Sequence, residues 1–498
     1  MGTEKLTCFG KLRGWRSTLA LFLLCATMAI ASRAQTFTTL ASFDESTTGV
    51  NPYPVALVQG LDGNFYGTAS QGGANGGGTV FKIAPDGGLT TFYSFCAQVN
   101  CTDGGDPVAG LVLATDGNLY GTTVGGGANE RGTVFKITPS GTLTTIYSFC
   151  AQTNCADGSI PFAGLVQAAD GNFYGTTEVG GRGSSPSCGN GAGCGTVFKL
   201  TLSGTLTTLY SFCTQPSCTD GSLPLAGLVQ ATDGSLYGTT SQGGAYGVGE
   251  VFKVIRSGTL TTLQSFDYNG NPYAGLVQAR DGSLYGTTNG CSDGVCNGDG
   301  TVYKVTQKSQ LVADRFNGAD GAAPSAGLVQ GTDGNFYGTT TAGGSDNLCN
   351  GRKGCGTLFK LGPTHVLTAL YSFCVQTGCP DGSVPAGGLV QGTDGNFYGT
   401  TAGGGANNNG TVFSLSVGLG PFVKTLPTSG TVGASVIILG TNLTGTTNVS
   451  FNGTAATFTV VSSSEITTSV PTGATSGTVQ VTTPSGVLLS NVAFRVTP

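Results

Sequence analysis

The phrase Asp-Gly-x-x-Tyr-Gly-Thr occurs seven times in this chain, and no other feature of the sequence constrains the fold as strongly. Each unit around it contains four strand-length segments that are rich in Thr, Val, Tyr and Phe and bounded by Gly, Asp or Pro. Four strands in about 50 residues is the size of one β-propeller blade. The copies of the phrase start at Asp62, Asp116, Asp170, Asp233, Asp281, Asp333 and Asp394.

The two ends of the repeat array predict a closed ring. Residues 37–43 match the fourth segment of a unit, whereas the seventh unit stops after its third segment at residues 411–415. A ring explains this arrangement, because the N-terminal strand completes the last blade, whereas an open β-solenoid would need atypical capping repeats. We therefore expect an all-β fold with a seven-bladed β-propeller over residues 35–417, and a β-solenoid is the alternative.

The N-terminus has the pattern of a secretory signal. Basic residues precede an apolar stretch over residues 17–31, and small residues then allow cleavage before Gln35. Residues 1–34 are therefore interpreted as a signal peptide, with a retained N-terminal anchor as the alternative. No later apolar run reaches the roughly 20 residues of a membrane helix, so we expect a secreted or cell-surface protein without a membrane span in the mature chain.

Fourteen of the 16 cysteines form seven close pairs, which predicts disulfide bonds in an oxidising compartment. The competing interpretation is zinc, which would require two pairs to converge because the chain has a single His. The predicted pairs are Cys96/Cys101, Cys150/Cys155, Cys188/Cys194, Cys213/Cys218, Cys291/Cys296, Cys349/Cys355 and Cys374/Cys379.

Three of these pairs lie in enlarged loops between the second and third segments of their units. The loops carry Cys188–Cys194, Cys291–Cys296 and Cys349–Cys355. Loops of this kind lie together on one rim of a propeller, and loops carry function more often than the strands that support them. The three inserts are therefore the predicted binding surface.

The units resemble the GloVer (Gloeobacter/Verrucomicrobia) repeat of exported "choice-of-anchor" proteins. Gly-Leu-Val-Gln and Asp-Gly-Asn-Phe-Tyr-Gly-Thr-Thr, both present within residues 327–373, carry the resemblance, which covers nearly all of residues 36–416. The resemblance implies export and no defined activity.

Residues 418–498 lack both the repeat phrase and cysteine, and they form the second predicted domain. About seven short alternating segments in about 80 residues suit a β-sandwich. The phrases at residues 427–430, 436–443, 449–453 and 470–473 resemble an IPT/TIG domain, which is immunoglobulin-like. This resemblance implies a spacer or a binding and assembly module without shared chemistry.

The side chains that recur in every unit are interpreted as structural, because a catalytic site is normally singular. Each Asp of the phrase is expected to cap its own hairpin turn rather than to act as an acid or a calcium ligand. A second Asp-Gly leaves structural calcium open at Asp103, Asp157, Asp220 and Asp381. Blade packing, rather than sugar stacking, is expected of Tyr66, Tyr120, Tyr174, Tyr237, Tyr285, Tyr337 and Tyr398. Pairing with the repeat Asp, rather than an anion site, is expected of Lys82, Lys136, Lys199, Lys253, Lys304 and Lys360.

No catalytic constellation stands out from this background. His365 has no nucleophile motif near it, and the chain has too few His residues for copper. The 21 Lys and Arg are spread along the chain, so nucleic acid is not an expected partner. We predict no catalytic residue, metal or cofactor, and a non-enzymatic binding scaffold that recognises polysaccharide or a cell-surface protein.

Two alternatives stay open. A carbohydrate-active hydrolase or lyase needs only two carboxylates, and those outside the repeat pattern, such as Glu130, Glu178 and Glu250, would supply them. The other alternative is a purely structural envelope component.

Overall fold

The structure, a computed structural model, is all-β, with repeated four-stranded antiparallel sheets. It describes residues 35–498 except 53–55, 184–187, 189–192, 268–269, 293–294, 297–298, 307–310, 345–348 and 350–353. The predicted signal peptide therefore lies outside the described residues. The described residues also include one-turn 3₁₀ helices at Val99–Cys101, Thr153–Cys155 and Pro216–Cys218. Along the described ranges, no helix is long and apolar enough to cross a membrane.

Six sheets each take their four strands from one repeat unit, paired in chain order. The strands are Val58–Gln59, Phe65–Ala69, Thr79–Ile83 and Leu89–Ser94; Val112–Leu113, Leu119–Thr123, Thr133–Ile137 and Leu143–Ser148; Val166–Gln167, Phe173–Thr177, Thr196–Leu200 and Leu206–Ser211; Val229–Gln230, Leu236–Thr240, Glu250–Val254 and Leu260–Ser265; Val277–Gln278, Leu284–Thr288, Thr301–Val305 and Leu311–Arg315; Val329–Gln330, Phe336–Thr340, Thr357–Leu361 and Leu367–Ser372.

The seventh sheet joins the two ends of the repeat array. It contains Val390–Gln391, Phe397–Thr401 and Thr411–Ser416, and its fourth strand is the N-terminal strand Thr36–Ser42. The last two strands run antiparallel, with Thr36 opposite Ser416 and Ser42 opposite Thr411. The N-terminal strand therefore supplies the strand that the seventh unit lacks.

The contacts of the first unit explain why Gly and then Thr recur at adjacent positions of the repeat phrase. Gly67 lies beneath the ring of Phe81 on the third strand, where a Cβ would come within 2.5 Å of the ring. The next residue, Thr68, donates its hydroxyl to the carbonyl oxygen of Ala109 in the neighbouring unit. Gly thus allows packing within a sheet, and Thr joins one sheet to the next.

The Thr hydroxyl bonds run around a closed circle. The second strand of each unit donates one such bond to the segment before the first strand of the next unit. The seven bonds are Thr68 to Ala109, Thr122 to Ala163, Thr176 to Ala226, Thr239 to Ala274, Thr287 to Ala326, Thr339 to Gly387 and Thr400 to Pro52. The last bond returns from the seventh sheet to the first unit. The repeat region thus has a propeller-like repeat fold.

The antiparallel order gives the ring two faces. The turns between first and second strands and between third and fourth strands lie on one side, which we call the turn face. The connections between second and third strands, and those from one unit to the next, lie on the other side, which we call the loop face. The seven Asp-Gly turns of the repeat phrase are therefore on the turn face, and the cysteine pairs are on the loop face.

The C-terminal unit consists of two four-stranded antiparallel sheets around one apolar core. The first sheet contains, in spatial order, Lys424–Leu426, Ser435–Leu439, Glu465–Ser469 and Phe458–Val460. The second contains Thr454–Ala455, Asn448–Phe451, Val479–Thr483 and Gly486–Leu489. Two further short pairs are Ser429–Gly430 with Arg495–Val496, which is parallel, and Cys291–Ser292 with Val295–Cys296 in the fifth repeat unit.

Candidate functional site

The repeat Asp residues organise the hairpins of the turn face. In the first unit, Asp62 accepts a hydrogen bond from the backbone N–H of Asn64 at 3.2 Å and one from the Tyr66 hydroxyl at 2.9 Å. The Lys82 ammonium lies 2.7 Å from the same carboxylate. These contacts confirm that Asp62 caps its own turn and that Lys82 pairs with it, and further pairs are Lys199–Asp170, Lys253–Asp233 and Lys304–Asp281. Among the described residues, Lys136 and Lys360 have no ion pair with a repeat Asp, so the predicted pairing holds for four of the six Lys residues.

The repeat Tyr residues are packing residues. Tyr174 is fully buried, and the ring of Tyr120 lies 4.3 Å from that of Phe173 in the next sheet. Although burial works to raise the pKa of Asp233, hydrogen bonds from Lys253, Ser235 and Tyr237 hold that pKa at about 2. The carboxylate is therefore ionised near neutral pH, as a structural ion-pair partner rather than a proton donor.

In the second set of Asp residues, on the loop face, Asp103, Asp157 and Asp220 are buried and Asp381 is partly exposed. Asp103 has no exposed surface, and it accepts hydrogen bonds from the Tyr93 hydroxyl at 2.9 Å and from the backbone N–H groups of Ala97 and Gln98 at 3.0 and 3.2 Å. Asp157 and Asp220 make the same contacts in their units. These donors satisfy the three buried carboxylates, so Asp103, Asp157 and Asp220 hold their loops in shape. Asp381 accepts from the Tyr371 hydroxyl and the Cys374 backbone N–H through Oδ2, and its Oδ1 has no partner among the described residues.

Six of the predicted cysteine pairs form disulfides in the structure: Cys96–Cys101, Cys150–Cys155, Cys188–Cys194, Cys213–Cys218, Cys349–Cys355 and Cys374–Cys379. For the seventh pair, the backbones of Cys291 and Cys296 lie opposite each other in a short hairpin. Disulfide bonds of this number are consistent with an exported protein.

Two disulfides converge in the third unit and again in the sixth. The sulfur atoms of Cys194, Cys213 and Cys218 lie within 4.8 Å of one another. The corresponding group in the sixth unit is Cys349, Cys355 and Cys374. This is the convergence that zinc would need, but the sulfurs are joined in disulfides and so are not thiolate ligands. Instead, the disulfide of each insert packs against the disulfide of the loop that follows its sheet.

The predicted insert surface lies on the loop face, as its place between second and third strands requires. Most residues between the paired cysteines lie outside the described ranges. The inserts are therefore located by their cysteine ends, and their remaining side chains stay a prediction.

The C-terminal unit covers the turn face. The Ser464 hydroxyl donates to the Leu61 carbonyl oxygen at 2.7 Å, and the Lys424 ammonium donates to the Gln391 carbonyl oxygen at 2.6 Å. On the opposite part of the circle, the Arg495 guanidinium donates to the Thr232 carbonyl oxygen. These contacts reach the first, seventh and fourth units, so the C-terminal unit spans the centre of the ring on this side.

A cavity of about 740 Å³ lies on the axis of the ring. Residues of all seven units line it, mostly from the segments that lead into the first strands. Their backbones approach closely: a Cβ on Gly110 would lie 2.9 Å from the carbonyl oxygen of Ala56 in the preceding unit. Small residues such as Gly110 therefore allow the backbones of neighbouring units to approach closely, and Ala, Gly and Leu make up most of the cavity wall.

Two carboxylates outside the repeat pattern have distinct settings. Glu178 lines the axial cavity, and burial raises the pKa of its carboxyl. Glu250 stands where the other six third strands begin with Thr, and it is fully buried. Burial, together with the charge of Asp220, raises the pKa of Glu250 to about 8, against a lowering by the nearby Thr262 hydroxyl.

The single His is on the turn face side, in the connection between third and fourth strands of the sixth unit. Its Nδ1 lies 2.8 Å from a carboxylate oxygen of Asp314 in the fifth unit. This pair joins neighbouring sheets and is remote in sequence from both glutamates. Phe162 and Tyr273, which line the axial cavity, were not predicted from the sequence as site residues. The signal for them is the variable residue after Pro in the segment before each first strand.

These features define the class: a disulfide-containing, all-β repeat protein with a propeller-like fold. The model of the Gloeobacter/Verrucomicrobia repeat matches residues 25–187, 183–349 and 270–461. The chain therefore belongs to the Gloeobacter/Verrucomicrobia repeat family. The third match extends past residue 417, the predicted end of the repeat domain.

Several solved structures are similar at low identity. The extracellular domain of a B. thetaiotaomicron protein described as the hybrid two-component system BT4673 is 10% identical with a TM-score of 0.46, over 94% of this chain and 60% of that chain. A luciferin-regenerating enzyme is 11% identical with a TM-score of 0.40, over 78% and 98%. A Bacteroides uniformis protein described as a 6-phosphogluconolactonase is 15% identical with a TM-score of 0.41, over 69% and 93%. The chain spans about 60% of the first of these structures. No curated protein matches this chain.

Proposed function

We propose that this protein is an exported, non-enzymatic binding scaffold that recognises polysaccharide or a cell-surface protein through the loop face of a closed seven-bladed β-propeller. The C-terminal unit is then an IPT/TIG domain that covers the turn face. The predicted signal peptide directs export, and the disulfides suit the oxidising environment outside the cytoplasm.

The observation that carries this proposal is that the C-terminal unit contacts the turn face, whereas the inserts lie on the loop face. The turn face is in contact with the C-terminal unit through Leu61, Thr232 and Gln391. The loop face carries the three inserts, and in two of them the insert disulfide lies against the disulfide of the adjoining loop. A rigid scaffold with variable loops on its free side is a common arrangement for binding surfaces.

The proposal is tested with a variant that shortens all three inserts. Residues 182–194, 291–299 and 345–355 are each replaced by residues 128–131, the corresponding part of the short loop in the second unit. We expect the wild-type protein to bind one or more members of a polysaccharide and surface-protein panel, and the variant to bind at least about tenfold more weakly. The matched control is Asp86→Asn on the turn face, which we expect to bind as the wild type does.

Absence of any retained partner, or equal binding by the shortened variant, contradicts the proposal. The same polysaccharide panel also tests for an enzyme by the release of new reducing ends. Turnover that disappears in Glu178→Gln or Glu250→Gln would replace the scaffold with a hydrolase or lyase.

A further inference from the structure

The axial cavity differs from the insert rim in chemistry and position. Its wall is mostly apolar, since the segment before the first strand contributes Leu together with Ala or Gly from every unit. The C-terminal unit spans the turn face, so a ligand enters from the loop face. Phe162, Leu225 and Tyr273, from three successive units, line this cavity together with Ser241 and Gln242.

One charge breaks the pseudo-sevenfold symmetry of the cavity. The residue that follows the second strand is uncharged in six units, namely Ser70, Val124, Ser241, Asn289, Thr341 and Ala402. In the third unit it is Glu178, which is only partly exposed. Among the described residues, no hydrogen bond or ion pair reaches its carboxylate. The backbone N–H of Glu178 donates to the Ile160 carbonyl oxygen at 2.9 Å, so the residue itself is held in place.

The Glu178 carboxylate is partly buried, so a cation that lies against it would replace part of the solvent that it has lost. Removing a charge from water is costly unless an opposite charge or hydrogen-bond donors replace the solvent. Aromatic faces add to the attraction for cations, and Phe162 and Tyr273 line the same space. An apolar wall, aromatic rings and one carboxylate together match an ammonium group carried on an apolar body.

We propose that the axial cavity binds a small organic ammonium ion, with Glu178 as its counter-ion and the apolar wall around its hydrocarbon part. The cavity of about 740 Å³ holds a ligand of drug-like size or smaller. This site is separate from the insert rim, and it does not require the proposed recognition of polysaccharide or protein.

The test uses 2-phenylethylammonium as the probe and 2-phenylethanol as its neutral counterpart, both titrated calorimetrically into the full chain. We expect saturable binding of the ammonium ion and weaker binding of the alcohol. Glu178→Gln should weaken ammonium binding at least about tenfold, because a hydrogen-bonded charge pair of 1.5–3 kcal/mol corresponds to roughly 10- to 100-fold. The affinity for the alcohol should stay within about twofold.

Glu130→Gln is the matched control, because it removes an exposed negative charge from a loop-face loop of the second unit that does not line the cavity. It should bind both probes as the wild type does. Glu178→Ser, which installs the residue type of the first and fourth units, gives a second variant should the amide disturb the fold. Both Glu178 variants should show the same loss.

Three results would overturn the proposal: no saturable ammonium binding by the wild type, equal binding by both Glu178 variants, or an alcohol affinity equal to that of the ammonium ion. Tighter binding of a lysine-containing peptide than of 2-phenylethylammonium would also overturn it, because the occupant would then be a protein side chain. Ammonium binding without any retained polysaccharide or surface protein would leave this site standing and the rim proposal refuted.

Discussion

The two faces of the repeat ring use the same dipeptide, Asp-Gly, in different environments. On the turn face, Asp116 is exposed and accepts hydrogen bonds from the backbone and side chain of Asn118 and from Tyr120. On the loop face of the same unit, Asp157 is fully buried and accepts from the Tyr147 hydroxyl and two backbone N–H groups. Identical sequence signals thus stabilise the fold to different degrees, because desolvation decides what an unmade hydrogen bond costs.

The two faces also differ in their contacts with the C-terminal unit. The exposed Asp turns lie on the side that the C-terminal unit contacts, where polar contacts are made to backbone carbonyl groups of the turns and first strands. The buried Asp residues lie on the side where disulfides and inserts occur. The loop face therefore has an internally fixed framework, whereas the turn face gains further contacts from a second unit.

The largest expected effect concerns Glu250, which is the exception at the loop-face end of the third strands. The folded protein holds its proton up to a pKa of about 8, whereas the unfolded chain releases it near 4.5. Below pH 4.5 both states are protonated and the side chain carries no charge penalty. As the pH rises from 4.5 towards 8, the unfolded state alone loses the proton, so the stability of the fold falls.

Glu250→Thr restores the residue of the other six sheets and should raise the free energy of unfolding above pH 8 by about 4 kcal/mol, with a much smaller gain at pH 4. Urea unfolding at a series of pH values measures the difference. Glu130→Gln is the control, and its pH dependence should match the wild type. A gain for Glu250→Thr that is equal at pH 4 and pH 8 would show that the fold does not raise the pKa of Glu250.

The second prediction compares the two Asp residues of the second unit directly. Asp157→Ala should lower the free energy of unfolding by about 3 kcal/mol, because two loop N–H groups and a Tyr hydroxyl lose a buried acceptor. Asp116→Ala should lower it by about 1 kcal/mol, because water replaces the lost contacts. The midpoint of urea unfolding measures both variants.

Asp157→Asn serves as the control for shape, since the amide keeps one acceptor oxygen. It should fall between the wild type and Asp157→Ala. Equal losses for Asp157→Ala and Asp116→Ala would remove the distinction between the faces.

Local regularity explains how much of this fold was predictable from sequence. The strand composition and the missing fourth segment of the last unit predicted that Thr36–Ser42 pairs with Thr411–Ser416, and they do pair. The turn-capping role of Asp62 followed from Asp-Gly chemistry alone. Each inference needed only residues that are close in sequence or repeated along it.

Contacts between distant, non-repeated residues were beyond that reasoning. The convergence of Cys194 with Cys213 and Cys218 depends on how an insert folds back over its sheet, which pair spacing does not encode. The burial of Glu250 involves the connection that precedes the first strand of its own unit, where a Cβ on Gly221 would lie 3.0 Å from its carboxylate. The interface between the C-terminal unit and the repeat region includes the hydrogen bond from the Ser464 hydroxyl to the Leu61 carbonyl oxygen. It joins two regions that each have their own hydrophobic core, so neither sequence alone indicates it.

The smallest expected effect concerns this interface. Ser464 is buried, and its hydroxyl donates to the Leu61 carbonyl oxygen at 2.7 Å across the boundary between the two regions. Ser464→Ala should weaken the docking of the C-terminal unit by about 1 kcal/mol, because one buried carbonyl group loses its donor. Amide hydrogen exchange at residues 61–63 and 393–395 should quicken by roughly fivefold, since local opening becomes easier. The exposed Ser485→Ala should leave this exchange unchanged. Equal exchange in both variants would mean that this bond does not hold the C-terminal unit on the turn face, and that the turn face owes its coverage to other contacts, such as that of Lys424 with Gln391.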